Sequence, residues 1–293
     1  MAASIHFPVM AGEVIEWLQP KPGQILVDGT MGGGGHARLL AERVGPEGQV
    51  LGLDRDPAAI MAFSEANDSR IEPIHANYAD LDQVLATRQI PAVDGLLLDL
   101  GLSSDQLADP TRGFSFESSG SLDQRFDPTT GEPAWRLLER MDERALADLI
   151  FQYGEERFSR RIARRIVQTR RQQPIRTAAQ LSALVRSCVP RSRGHRIDPA
   201  TRTFQALRIA VNNELQTLQE ALGKLPELLR PGGRWAIISF HSLEDRLVKR
   251  AFREHPLLDN LTRKPIRPSE SEAAANPRSR SAKLRVAQRI ASA

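Results

Sequence analysis

Over the first hundred residues, short apolar runs alternate with stretches of helical periodicity. "QILVDGT" reads as a buried strand, and a helix is predicted from about Gly35 to Val44. "VLGLDRD" is the next strand and "PAAIMAFSEA" the next helix, with Pro57 suited to a first turn. "IEPIHAN" and "VDGLLLDLGL" supply two further strands. Strands that alternate with helices imply parallel pairing and an α/β sheet.

From Ser103 that rhythm stops. "SSDQLADPTRGFSFESSGSLDQRFDPTTGEP" is rich in Gly, Ser, Pro and Asp and reads as a long irregular loop, a length that inside a domain usually has a function. Helical patterns follow from Trp135 to about Leu184, broken by "QQPIRT", with no strand signal. The predicted organisation is therefore a core of residues 1–106 and 198–293 interrupted by an all-helical insertion, residues 107–197. Phe204, Leu207, Val211, Leu215, Leu218 and Leu222 recur at spacings of three and four, which predicts one helix with one buried face. "LRPGGRWAIISFHS" follows as turn and strand, then "SLEDRLVKRAF" as a helix, with Ser242 and Asp245 spaced as a capping box. "KPIRPS" and "RSAKLRVAQRI" are expected as closing strands around a mobile, polar "SESEAAANPR".

With 293 residues, 41% hydrophobic and 26% charged, the composition is that of a globular chain and argues against wholesale disorder. No apolar run approaches the roughly 20 residues needed to span a bilayer. The start, "MAASIHFPVMAGEVIEWL", lacks the basic and greasy regions of a secretory signal, so a cytoplasmic setting is expected. Cys188 is the single cysteine; it excludes an internal disulfide and reads as a small buried residue. A net charge of only +4 conceals a local imbalance. "RFSRRIARRIVQTRR" sets Arg157, Arg160, Arg161, Arg164 and Arg165 on one stripe, with Arg170 and Arg171 beyond. Arg176, Arg186, Arg191, Arg193 and Arg196 extend the excess. Like charges at helical spacing repel, and an RNA phosphate backbone would relieve them.

Chemistry concentrates at the predicted strand ends. Asp28, Asp54 and Asp99 each close a strand, at the edge where open parallel sheets bind ligands. The four glycines of "VDGTMGGGGHARLL" follow the first strand and let backbone approach a ligand closely. Gly32, Gly34 and Ala37 formally satisfy a dinucleotide fingerprint, with Asp54 about 20 residues on. Against that reading, Asp28 puts negative charge where a pyrophosphate would need an electropositive helix start. A cationic sulfonium suits a carboxylate-lined pocket better, and "DLGLSS" offers no partner for hydride transfer. By position alone His36 is a helix-start residue, Tyr78 is equally core packing, and Gln106 is a loop residue.

"HFPVMAGEV", "VDGTMGGGGHARLL", "LGLDRDPAAI", "LLLDLGLSSDQL", "RGFSF", "LDQRFDP", "YGEERFSRRIARRIV", "DPATRTFQALRIAVNNEL" and "ISFHSLEDRLVK" together resemble the bacterial ribosomal RNA small-subunit methyltransferase H family. The resemblance covers nearly the whole chain. It implies a class I, Rossmann-like S-adenosylmethionine-dependent core with an inserted helical domain that recognises substrate. It also implies methylation of N4 of a cytidine in the decoding region of 16S rRNA, with the small ribosomal subunit as the expected substrate particle. Cofactor contacts would fall on Gly34, Gly35 and His36, on Asp54 for the ribose, on Tyr78 along the adenine, and on Asp99 and Gln106, with Asp28 lining the pocket. The chain departs from the common pattern at Met31, Ala37, Tyr78 and Asp198.

For catalysis, Asp99 and the carbonyl of Leu100 are expected to accept hydrogens from the target amine. His241 is a candidate proton acceptor, or a residue that orients its loop. His6, Glu13, Ser239 and Phe240 match family motifs near the pocket. The target base must be unstacked, and Phe114 and Phe116 in "RGFSF" are candidates to stack on it, or to anchor their loop. A nicotinamide-dependent oxidoreductase and a noncatalytic rRNA-binding assembly factor are the competing classes. A membrane is not an expected partner; a homodimer is compatible with the sequence.

Overall fold

The computed structural model describes residues 8–64, 68–190 and 198–291. His6, Arg191, Arg193 and Arg196 lie outside the described residues. Seven strands, β1 (Ile25–Asp28), β2 (Gln49–Asp54), β3 (Ile71–His75), β4 (Val93–Asp99), β5 (Leu229–Ser239), β6 (Leu258–Asn260) and β7 (Lys283–Arg289), form one sheet. The first helices are α1 (Ala11–Leu18), α2 (Gly35–Val44), α3 (Pro57–Ser64) and α4 (Leu81–Thr87). Then come α5 (Ser104–Ala108), α6 (Ala134–Arg140), α7 (Glu143–Gly154), α8 (Ser159–Arg170), α9 (Ala178–Cys188) and α10 (Thr201–Asn212). The last are α11 (Glu214–Lys224), α12 (Ser242–Glu254) and α13 (Glu270–Ala275). None is long and apolar enough to cross a membrane.

Two compact units result: one from the segments up to Ser103 and from Leu215 onward, the other from Ser104–Glu214. In the first, the strand order is β3-β2-β1-β4-β5-β7-β6. All neighbours from β3 to β5 run parallel, and β7 is antiparallel to both β5 and β6. Alternation along the strands explains why both faces are covered. Val27, Leu51, Leu96 and Leu98 face one core, while Leu26, Val50 and Leu97 face the other. Order reverses between β1 and β4, which opens a crevice beyond their carboxyl ends.

The second unit contains no strand among its described residues; its helices close around Leu138, Ile150, Ile162, Leu181 and Phe204. Local chemistry sets the helix starts. Asp142 caps α7, and Thr177 with Gln180 forms a reciprocal capping box on α9. Cys188 is buried in this core and free.

Four expectations need correction. The long helix predicted across Phe204–Leu222 breaks at Asn213, which adopts a left-handed φ of 52°. Asn212 anchors the break: its side chain donates to the Gln124 carbonyl at 2.7 Å and accepts from the Phe126 amide at 2.7 Å. Helix α10 packs on α7, so the helical unit runs from 104 to 214 instead of 107 to 197. Near the carboxyl terminus, "KPIRPS" makes only an isolated bridge, Ile266 to Leu284, and β7 pairs with β5 on one side and β6 on the other. The polar "SESEAAANPR" is ordered as α13, capped by Ser269, and a 3-10 turn over Pro277–Ser281.

Candidate active site

Register places the three acids together in the sheet unit. Asp28 stands level with Gly52 of β2 and Leu97 of β4, Asp54 with His75, and Asp99 with Ile238. All three therefore end their strands on the edge where the crevice opens. Threonine 30 ties two of these ends: the Asp99 amide donates to Thr30 Oγ1 at 2.6 Å, and the Thr30 amide donates to Asp28 Oδ1 at 3.1 Å.

The glycine turn between β1 and α2 is shaped by its own packing. Gly34 has φ 76°, and a Cβ there would lie 2.1 Å from the Phe63 ring. At Gly29 a Cβ would lie 2.5 Å from Leu98 Cδ2. The turn is fastened to β2 by the Gly32 amide, which donates to Asp54 Oδ2 at 2.7 Å, and by the Met31 amide, which donates to the Leu53 carbonyl. Met31 itself is buried against Gly52. The glycines thus hold backbone against strand ends, which is also what brings it to the crevice.

Electrostatics mark this as more than a turn. Burial pushes the Asp28 carboxyl up to about 6, opposed by the His36 charge and the Thr30 amide. Burial also raises Asp54, against hydrogen bonds from the Asp56 and Gly32 amides. His36 Nε2 lies 3.6 Å from Asp99 Oδ2. Burial works against its protonation, but Asp99, with the charges of Asp28 and Glu272, outweighs that and raises it. Asp28 Oδ2, His36 Nε2 and Asp99 Oδ1 are buried without a hydrogen-bond partner. Buried polar atoms are rarely left so. The two carboxylate oxygens suit a polar ligand that carries positive charge, and His36 Nε2 offers it a further polar contact.

Other expected residues divide clearly. Tyr78 is buried in a 3-10 turn after β3, its Cβ beside Gly29. The Leu100 amide is bonded to the Ile238 carbonyl, and Leu100 belongs to the sheet core. Phe240 packs on Gly101. His241 caps α12, one residue earlier than the capping box expected at Ser242. Its Nδ1 accepts from the Glu244 amide at 3.4 Å, and Glu244 Oε2 accepts from the Phe240 amide at 2.9 Å. Asp245 is committed instead to Lys283 and Arg285. Glu13 sits in the first turn of α1.

In the helical unit, Gln106 is buried in α5. Phe114 and Phe116, expected to stack on the target base, are turned inward. Phe114 is 3% exposed and stacks on Phe126; Phe116 meets Phe204 edge-on at 5.0 Å. Phe114 is thus committed to anchoring its loop, while Phe116 is half-buried and packs on the helical core. Arg157, Arg160, Arg161, Arg164 and Arg165 are all exposed, opposite the buried Ile162, Ala163, Ile166 and Val167. Arg164 pairs with Glu143, and Arg157 lies over Phe158. Arg160, Arg161 and Arg165 have no partner among the described residues. Arg186 is bound to Asp198, which also accepts from the Ala200 amide just before α10.

Sequence reasoning missed Thr30 and Glu272. Thr30 sits inside the glycine motif, where a hydroxyl two residues from a strand-end acid was the available signal. Glu272 accepts from the Met10 amide at 2.7 Å and acts on His36 from a segment over 200 residues away, for which sequence carries no signal.

A doubly wound seven-stranded sheet with a reversed β7, and carboxylates ending β1, β2 and β4 around a glycine turn, defines a class I methyltransferase fold. Residues 3–290 match the MraW methylase family, and the chain belongs to that family. It is 49% identical over 301 residues to the ribosomal RNA small subunit methyltransferase H of Rhodopirellula baltica, covering 99% of this chain and 93% of that protein. A protein of the same name from Thermomicrobium roseum is 49% identical over 310 residues, covering 99% and 95%. An rRNA methylase structure from Streptococcus thermophilus aligns with 96% of this chain and 94% of its own, at 12% identity and a TM-score of 0.44.

Proposed function

We propose that this protein transfers a methyl group from S-adenosyl-L-methionine to N4 of a cytidine in the decoding region of 16S rRNA. The observation that carries the reading is the buried trio Asp28 Oδ2, His36 Nε2 and Asp99 Oδ1, unpartnered at the crevice of a methylase-family sheet. The residues fit that cofactor: unpaired carboxylate oxygens suit its cationic groups, and the same acidity opposes a dinucleotide pyrophosphate. Gly34, Gly35 and His36 would hold it beside the turn, Asp54 its ribose hydroxyls, and Tyr78 its adenine. Bound there, it supplies a methyl group already activated by the sulfonium charge.

The chain's own task is then positioning, which can contribute on the order of 7–11 kcal/mol in favourable cases. The N4 amine of cytosine is a poor nucleophile because its lone pair is delocalised into the ring. Asp99 and the Leu100 carbonyl accept hydrogen bonds from its N–H groups and let nitrogen pyramidalise, and the Asp99 carboxylate takes the proton that N4 gives up on methylation. Thr30, bonded to the Asp99 amide, fixes the strand end from which both acceptors project. His241 orients the Phe240–His241 loop through Glu244. The exposed arginines of α8 bind rRNA phosphates, as the names of the relatives would lead one to expect of a substrate-binding surface. The small ribosomal subunit is the expected form of the substrate.

The test is mass mapping of methylated nucleosides in small-subunit RNA from cells with and without this protein. N4-methylation of a decoding-region cytidine should be present only with it. An unchanged methylation map would overturn the proposal.

A further inference from the structure

A second cavity system lies within the helical unit, around the turn that joins α8 to α9. One cavity of about 230 Å³ opens between α6 and that turn. It is smaller than the roughly 300–1,000 Å³ that encloses whole small molecules, and so fits one planar ring system better than a cofactor. Leu138, Pro174 and Ile175 make an apolar floor; Arg170, Arg171 and Arg176 stand around it with a single acid, Glu139.

These cations are held in place. The Arg176 guanidinium lies 3.8 Å from the Trp135 ring centroid, and Arg136 lies 4.4 Å from it. Both pair with Glu139, at 2.8 and 3.1 Å. Arg170 donates to the Leu138 carbonyl. Arg171 is exposed and has no side-chain partner among the described residues. Across the Pro174–Ile175 ridge, a second cavity of about 320 Å³ continues toward Arg165, with no acid among its lining residues.

Resting on the reading of rRNA as substrate, we infer that these adjoining cavities of the helical unit bind two neighbouring unpaired nucleotides of RNA. Single-stranded RNA is recognised by planar guanidinium and aromatic surfaces beside phosphate-binding cations. Here fixed guanidinium planes and an apolar floor receive a base, and Arg171 takes the phosphate between the two cavities. An acidic peptide would satisfy the charges but leave the floor unused.

The experiment measures anisotropy of a labelled single-stranded RNA dodecamer on the full-length protein, with Arg171→Gln as the variant and S-adenosylmethionine affinity as a second readout. Arg171 is exposed, so the variant should fold, which circular dichroism checks. Affinity should fall about fivefold, the slope of log K against log salt should flatten by about 0.7, and cofactor affinity should hold. A 4-thiouridine dodecamer should cross-link to peptides carrying Trp135 or Pro174. Unchanged RNA affinity and slope in the variant would overturn the inference while leaving the methylase reading standing. Displacement of RNA by poly-glutamate at equal charge would overturn it in favour of an acidic peptide. Failure of the wild-type protein to bind the dodecamer would likewise overturn the inference, while the methylase reading stands or falls on the methylation map.

Discussion

The two units treat charge in opposite ways. The sheet unit buries carboxylates at strand ends, where burial raises Asp28 and Asp54 and His36 interacts with Asp28 and Asp99. The helical unit puts arginines on the surface, and Arg160, Arg161, Arg165 and Arg171 take part in no ion pair among the described residues. Buried negative charge costs stability until a ligand satisfies it; exposed positive charge costs little and acts at long range. The first arrangement selects a small cation, and the second gathers a polyanion.

Asp99 gives the sharpest test of the buried half of this contrast. Asp99→Ala should lower labelled-methyl transfer to small-subunit RNA by about 10³-fold, within the range for losing a positioned proton acceptor. RNA affinity should stay within twofold, because the basic surface belongs to the other unit. Intact turnover and cofactor affinity in Asp99→Asn would remove Asp99 from the mechanism.

Asp28 tests what burying the charge costs. A carboxyl raised from 3.8 to about 6 keeps its proton in the folded state over a range where the unfolded chain has lost it. Stability should therefore fall as pH rises through that window, by about 3 kcal/mol above pH 6. Asp28→Asn should then be more stable than wild type in denaturant at about pH 7.5, with the gap nearly closed at about pH 4. It should also bind S-adenosylmethionine more weakly. A stability gap that does not change with pH would show that Asp28 is not held in this way.

How much of this was legible in the sequence depends on the distance over which each feature is encoded. The strands, the glycine turn and the three terminal acids are local patterns, and the sheet puts them where those patterns imply. The exposure of the α8 arginines follows from a 3.6-residue period, with Ile162 and Ile166 opposite. The break at Asn213 was not legible, because the apolar period runs unbroken through it and Asn212 is fixed by partners near residue 125. Sequence left Phe114 and Phe116 open between stacking on a base and anchoring their loop, because the partners Phe126 and Phe204 are brought to them only by the fold. Glu272 reaches His36 only through the tertiary fold.

The exposed half of the contrast is tested by replacing Arg160, Arg161 and Arg165 together with Gln. If each contacts one phosphate, the salt slope should flatten by roughly 2, with affinity for small-subunit RNA falling 10- to 50-fold at moderate salt. Arg164→Gln alone should do less, since Arg164 is already paired with Glu143. Cofactor affinity should not change in either. A salt slope equal to wild type would make the stripe a solvated surface and nothing more.

The smallest effect concerns His241, where the contrast between chemistry and support is drawn within one residue. Its Nδ1 accepts from the Glu244 amide, and Nε2, which makes no hydrogen bond, stands 3.1 Å from Glu244 Oε1, so the ring is held against the helix it caps. Removing such a cap costs about 1 kcal/mol, and asparagine is itself a good cap. His241→Ala should therefore lose about that much stability, His241→Asn should regain most of it, and both should keep methyl transfer within about fivefold. A proton acceptor would behave otherwise: asparagine would rescue the fold but not the rate, which would fall by 10² or more. That outcome would move His241 from supporting the loop into the chemistry itself.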